Sequence, residues 1–249
     1  MNLGLIGRSV SHSFSKAYFE EKFLKNNLQD FSYTNFDLDS LDSLTEIIHT
    51  HRLSGLNVTK PYKQQVVAFL DELDETAKII GAVNCIHITW QGDIPHLKGY
   101  NTDQYGFAQS IKPFLEPIHQ RALVLGTGGA SQAVHYALKQ IGVQVYFVSR
   151  GPKPAENFFH YEELNEHVLH AFKLIVNGTP TGMYPAVDEC PPIPYECIGA
   201  EHLLYDLIYN PAETQFLKKG KEQGAVTING LNMLKLQAEK GWEIWTGNR

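Results

Sequence analysis

Cysteine is scarce in this chain: three in 249 residues, at positions 85, 190 and 197. An odd count excludes a closed disulfide framework, and the Cys190/Cys197 spacing is wrong for a zinc knuckle. Basic residues are also in short supply. Twenty-one Lys plus Arg face 27 Asp plus Glu, a net charge of -6, and no Lys/Arg run occurs. A nucleic-acid binder would carry a basic excess. No apolar run approaches the ~20 residues that span a bilayer, and the opening MNLGLIGRSV lacks the basic start and long apolar stretch of a secretion signal. Internal repeats and low-complexity tracts are missing as well. These absences predict a soluble, cytoplasmic chain of a reducing compartment, with neither nucleic acid nor membrane among its partners; a homodimer is compatible with it. What is present is 43% apolar residues, enough to bury a core, in a length that suits one large or two modest domains.

The elements alternate. NLGLIG reads as a short strand, followed by a helix with Phe19, Phe23 and Leu24 at helical spacing. FSYTNFD is a second strand, and Leu41, Leu44, Ile47 and Ile48 line one face of a second helix. LSGLNV is a third strand, and Pro61 opens a broken helical region to about Ile80. AVNCIHITW and HLKGY, parted by QGDIP, form a β-ribbon. A helix spans about Tyr105–Leu115. From Arg121 the strands become continuously apolar: ALVLG, then GTGGAS, then a helix with Ala130, Ala133, Val134, Ala137, Leu138 and Ile141 on one face, then VQVYFVS. That is a βαβ unit with parallel strands. KLIVN, HLLYDLIY and AVTIN are further strands, CPPIP is a surface loop or polyproline II stretch, and a last helix runs from Leu231 to close at Gly241. The reading is α/β throughout. An open α/β domain over residues 1–101, completed by a C-terminal helix in 230–249, is joined to a Rossmann-type domain over 102–229, with the cleft between them.

The glycine turn Gly126-Thr127-Gly128-Gly129 invites a dinucleotide, since Gly126 permits the tight turn and Gly128 and Gly129 admit a pyrophosphate to the helix N-terminus. Ser131 stands where the strict pattern has its third glycine. The alternative is a plain tight turn. After the second strand an NAD site places an acid about 20 residues past the glycines. Here stand Ser149, Arg150 and, nearby, Lys153, which suit a 2′-phosphate, or else are solvated cations. The lean is towards NADP.

Four polar clusters fall at the ends of the N-terminal elements: Ser11-His12-Ser13-Phe14-Ser15, Asn57 to Lys63, Gly81 to Asn84, and Gly99 to Asp103. Singly each has a bland account: Ser13 or Ser15 as an N-cap, Asn101 or Asp103 capping the next helix, Lys63 as an exposed charge. Together and in order, they resemble a family. SHSFS, GLNVTKPYK, GAVNC, GYNTDQYGF, GTGGAS, VNGTPTGM, YDLIYNPAET and NGLNMLKLQAEKGWEIWTG are similar to the motifs of shikimate dehydrogenases over nearly the whole length.

That resemblance implies NADPH-dependent reduction of 3-dehydroshikimate to shikimate, in the route to chorismate and the aromatic amino acids. It implies Lys63 and Asp103 as the catalytic pair, and Ser13, Ser15, Thr59, Asn84, Tyr209 and Gln237 as substrate-binding positions alongside them. Cofactor contacts fall on Gly126, Thr127, Gly128, Gly129, Ala130, Ser149, Arg150, Lys153, Leu207 and Gly230, with Glu75 matching an acidic position near the nicotinamide in some members. The chain departs from the family at Lys16 (usually Pro), at Cys85 (usually Thr) and at Ser149-Arg150-Gly151 (usually Asn-Arg-Thr). It also stops at WTGNR, where many relatives continue with another helix.

The chemistry is coherent. Hydride delivery to a ring ketone builds negative charge on oxygen, which a Lys ammonium beside an Asp carboxylate can stabilise and protonate. Hydroxyl and amide side chains suit a small polyhydroxylated carboxylate. No metal is required, and the eleven histidines show no ligand spacing; His12 reads as a loop residue. The rivals are a quinate/shikimate dehydrogenase of the same superfamily, a non-catalytic ligand sensor, and a piece of a fused multi-step enzyme.

Overall fold

The computed structural model describes residues 1–11, 13–151 and 157–247. The chain divides into two compact units: Met1–Thr102 with Ala238–Arg249, and Asp103–Gln237. The first holds β1 (Asn2–Gly7), α1 (Phe14–Lys25), β2 (Ser32–Asp37), α2 (Leu44–His51), β3 (Leu53–Val58), β4 (Glu72–Leu73), α3 (Glu75–Ile80), β5 (Cys85–Gln91) and β6 (Ile94–Tyr100). The second holds α4 (Asp103–Ile111), β7 (Arg121–Leu125), α5 (Gly129–Gln140), β8 (Gln144–Val148), β9 (Phe158–Phe159), α6 (Glu166–Ala171), β10 (Leu174–Asn177), β11 (Leu203–Asp206), α7 (Gln215–Glu222) and β12 (Val226–Ile228). The closing helix α8 (Leu231–Thr246) begins in the second unit and ends in the first.

The first sheet is mixed, in the order β2-β1-β3-β5-β6-β4. β1 pairs in parallel with both β2 and β3, and β5 and β6 form an antiparallel hairpin joined by Gly92-Asp93. Leu3, Leu5 and Ile6 of β1 are buried, as a strand covered on both faces requires. The second sheet is wholly parallel, in the order β12-β11-β10-β7-β8-β9. Counted within this unit, its strands run 6-5-4-1-2-3, the doubly wound order of dinucleotide-binding folds. The direction of winding reverses between β7 and β10. Both of these strands are followed by glycine, Gly126 and Gly178, so the backbone can close in where such sheets take their ligands.

Several elements differ from their predicted form. α8 does not close at Gly241 but runs five residues further. Trp242 and Trp245 are buried beyond it, and the Trp245 indole N–H donates to the Ile86 carbonyl (2.9 Å). Two indoles packed on Phe19, Phe23 and Phe31 outweigh the ~1 kcal/mol that a mid-helix glycine costs. Leu41 is buried, but in the turn before α2 rather than on the helix. Leu24 and Ile141 keep helical spacing yet are exposed, because each sits at the end of its helix beyond the packed face. CPPIP is not a pure surface loop: Pro191 and Ile193 are buried, Ile193 in the core beneath β10 and β11. The short β4, β9, α6 and α7 carry too few apolar residues to show a period.

Candidate functional site

In the first unit the motif residues meet at the ends of β1 and β3. Ser13 caps α1, its hydroxyl accepting from the Ser15 N–H (3.2 Å). Ser15 is buried, and its hydroxyl meets the phenol of Tyr33, whose acidity burial suppresses and the serine bond partly restores. Tyr33 donates to Asn57 Oδ1 (2.7 Å), and Asn57 Nδ2 donates to the Asn84 carbonyl (3.3 Å). The Asn84 side chain then grips Thr102 twice: Oδ1 accepts the Thr102 N–H (2.6 Å) and Nδ2 donates to its hydroxyl (2.9 Å). Val83, next in sequence, donates its N–H to the Lys63 carbonyl (2.7 Å), and Asn101 donates to the Ala82 carbonyl (2.9 Å). Thr59 is fixed by its N–H on the Ile6 carbonyl (2.9 Å). Apart from the local Ser13 cap, these bonds join residues 18 or more positions apart. The predicted positions Ser13, Ser15, Lys63 and Asn84 thus lie on one hydrogen-bonded framework, with Thr59 tied separately to β1. Lys63 and Thr59 are half-buried.

Glu75 is not part of that framework. It is exposed in the first turn of α3, beside the Asp74 cap, where an acid complements the helix dipole.

The remaining positions belong to the second unit. Asp103 follows Thr102 directly, opens α4 and is buried. Gln237 is buried on α8, its amide donating to the Leu234 carbonyl (2.9 Å); α8 comes this near α4 because position 106 is glycine, where an added Cβ would stand 2.5 Å from the Met233 carbonyl oxygen. Tyr209 is 36% exposed. At the glycine turn, Gly126 adopts φ +91 and donates its N–H to Val148 (2.8 Å). Gly128 is the N-cap of α5 with no side chain over the helix end, and an added Cβ there would meet nothing within 4 Å. Thr127, Gly129 and Ala130 complete this open helix N-terminus, a geometry that fits a pyrophosphate. Ser131 fits where a third glycine is usual because position 178 is glycine: an added Cβ there would lie 2.3 Å from the serine hydroxyl. The side chain removed from one wall is tolerated on the other. Leu207 and Gly230 touch through backbone, the Leu207 carbonyl oxygen standing 2.1 Å from where a Cβ on Gly230 would be. Beyond β8, Ser149 is half-buried and accepts from Gly151 N–H (3.2 Å), while Arg150 is exposed. Lys153 and His12 lie outside the described residues.

Residues 5–86 match the family model described as the shikimate dehydrogenase substrate binding domain. A shikimate dehydrogenase (NADP(+)) of Methanosphaera stadtmanae is 36% identical, over 98% of this chain and 90% of its own. The chain belongs to the shikimate dehydrogenase family. Among solved structures, shikimate 5-dehydrogenase from Thermus thermophilus in complex with NADP(H) and shikimate superposes with a TM-score of 0.85 at 32% identity, covering 99% of this chain and 94% of that one. A quinate dehydrogenase from Corynebacterium glutamicum in complex with NAD gives 0.86 at 30% identity, with 99% and 94% covered.

The framework of this family member includes residues that the sequence reading left without a role. Tyr33, Asn57 and Thr102 tie the motifs together, yet only Asn57 and Thr102 lie within them, and neither type of residue announces a buried bond. In the second unit Asn177, Thr179, Asp206 and Thr214 form a further buried network. Burial pushes the Asp206 carboxyl up to about 6, against the bonds from Thr214, Ile208 and Asn177 that pull it down. The motifs VNGTPTGM and YDLIYNPAET contain all four, and Asp at the end of an apolar strand was the available signal.

Proposed function

We propose that Lys63 and Asp103 are the acid–base pair with which this chain carries out the reversible, NADP-dependent reduction of 3-dehydroshikimate to shikimate. What supports the reading is the framework that holds Lys63 and ends one residue before Asp103: the Lys63 backbone is bonded to Val83, and Asn84, the next residue, holds Thr102. The sequence places the two residues 40 positions apart, and the motifs between them are bonded to each other. The bound nicotinamide supplies or accepts the hydride. The chain supplies the rest. The Lys63 ammonium donates to the oxygen as charge develops there, and the Asp103 carboxylate orients it. Ser13, Ser15, Thr59, Asn84, Tyr209 and Gln237 bind the hydroxyls and carboxylate of the substrate. Among the described cofactor positions, Gly126 to Ala130 take the pyrophosphate and Arg150 the 2′-phosphate, with Ser149, Leu207 and Gly230 beside them.

Quinate oxidation with NAD is a second reading, favoured by the likeness to the quinate dehydrogenase. Against it stands Ser149-Arg150-Gly151, which offers a phosphate a cation and no carboxylate. Action in the cytoplasm and assembly as a homodimer belong to the same proposal; three free thiols suit a reducing compartment.

Lys63→Ala should lower kcat by roughly 10²–10⁴ while leaving the thermal midpoint near that of the wild type. Asp103→Asn should show a related loss, and the double variant less than the product of the two. Steady-state kinetics on purified variants reads all three. Wild-type turnover in folded Lys63→Ala would make Lys63 a surface charge and favour a ligand sensor.

A further inference from the structure

Asp206, the last residue of β11, has no exposed surface, yet three separate segments converge on it. Its Oδ1 accepts from the Asn177 side-chain amide (3.1 Å) and from the Ile208 N–H (3.0 Å). Its Oδ2 accepts from the hydroxyl of Thr214 (2.6 Å), the cap of α7. Asn177 carries the link onward. Its Oδ1 accepts both the N–H (3.1 Å) and the hydroxyl (2.6 Å) of Thr179, and the Thr179 hydroxyl oxygen accepts from the Thr181 N–H (3.3 Å). Thr179 is the residue under the glycine turn: a Cβ added to Gly126 would stand 3.0 Å from its methyl group. Thr179 therefore touches the turn on one side and is tied to the buried carboxylate on the other.

Burying a carboxylate is costly, and an apolar residue would fill the same space at the end of an apolar strand at less cost. What the carboxylate alone offers is acceptor capacity for three donors in fixed directions. None of those donors belongs to the residues assigned to proton transfer. We propose that Asp206 is a positioning residue for cofactor binding, acting through Asn177 and Thr179 to fix the floor of the Gly126 turn. The inference rests on reading that turn as the NADP site.

Titration of the purified protein with NADP tests it. Asp206→Ala should weaken NADP binding about tenfold, the scale of one lost buried hydrogen bond to a charged group. Asp206→Asn should recover most of that loss, because its amide oxygen still accepts from Asn177 and Ile208. Thr179→Val keeps the methyl group under Gly126 and the backbone bond to Asn177, and removes the two bonds of the hydroxyl. It should weaken NADP binding several-fold with the KM for shikimate unchanged, and it decides the matter if Asp206→Ala does not fold. Wild-type NADP affinity in folded Asp206→Ala or in Thr179→Val overturns the proposal and leaves the network a purely structural one. Failure of the wild type to bind NADP would instead overturn the cofactor reading itself.

Discussion

A single side chain can stand in the molecule for reasons opposed to its own solvation, and Asp206 is the case in point. Its carboxyl, pushed up to about 6 by burial, is harder to ionise in the folded chain than in the unfolded one. The folded state therefore binds more protons between about pH 4 and pH 6, so this group's contribution to stability is greatest below that window and is lost as pH rises through it. Asp206→Asn, which cannot titrate, should gain on the wild type over the same range by on the order of 3 kcal/mol. Thermal or urea unfolding of both proteins from pH 4 to pH 7 measures this; parallel curves would show that Asp206 ionises freely. No such behaviour was legible in the sequence. HLLYDLIY reads as one strand with Tyr205-Asp206 in its middle, whereas β11 ends at Asp206, and the partner that matters, Asn177, lies 29 residues away. Gly126 was legible, because its place between an apolar strand and a patterned helix calls for a left-handed turn.

Elements were legible in proportion to the apolar surface they bury. β1, β7, β10 and α5 present continuous or periodic apolar runs and lie where those runs place them. β4 and β9 have two residues each and are made by their neighbours, not by their own preference. The end of α8 depends on tertiary contacts. Gly241 reads as a stop, but a Cβ added there would meet Cys85 Sγ only at an ordinary 3.6 Å, and the helix runs through it because Trp242 and Trp245 are buried beyond. Position 55, by contrast, has no room for a side chain: an added Cβ would stand 2.5 Å from the Trp245 ring. Trp245→Ala should cost about 3–5 kcal/mol, since it removes a buried indole and its bond to Ile86. Denaturant unfolding checks this, and a loss below about 1 kcal/mol would mean that the C-terminal turns of α8 are not part of the first unit's core. Tyr18 and Lys22 of α1, both bonded to Glu239 of α8, add polar ties between these two helices.

At the scale of the whole chain, the two sheets differ in construction and in the groups they present at their strand ends. The mixed sheet gathers hydroxyls and amides on a buried framework at its strand ends, suited to a small polar acid. The parallel sheet places an open helix N-terminus and a glycine turn where its winding reverses, suited to a pyrophosphate. Among the described residues no helix is long and apolar enough to cross a membrane. The motifs were legible in their order along the chain; the hydrogen bonds that join them could not be read before the fold was known. The most direct test is steady-state oxidation of shikimate and of quinate, each with NADP and with NAD, by the purified wild-type protein. The account predicts that shikimate with NADP is the best pair, with kcat/KM for NADP at least about tenfold above that for NAD, the scale of one charge-assisted contact to the 2′-phosphate. Quinate with NAD as the best pair, or no turnover with any pair, would contradict it.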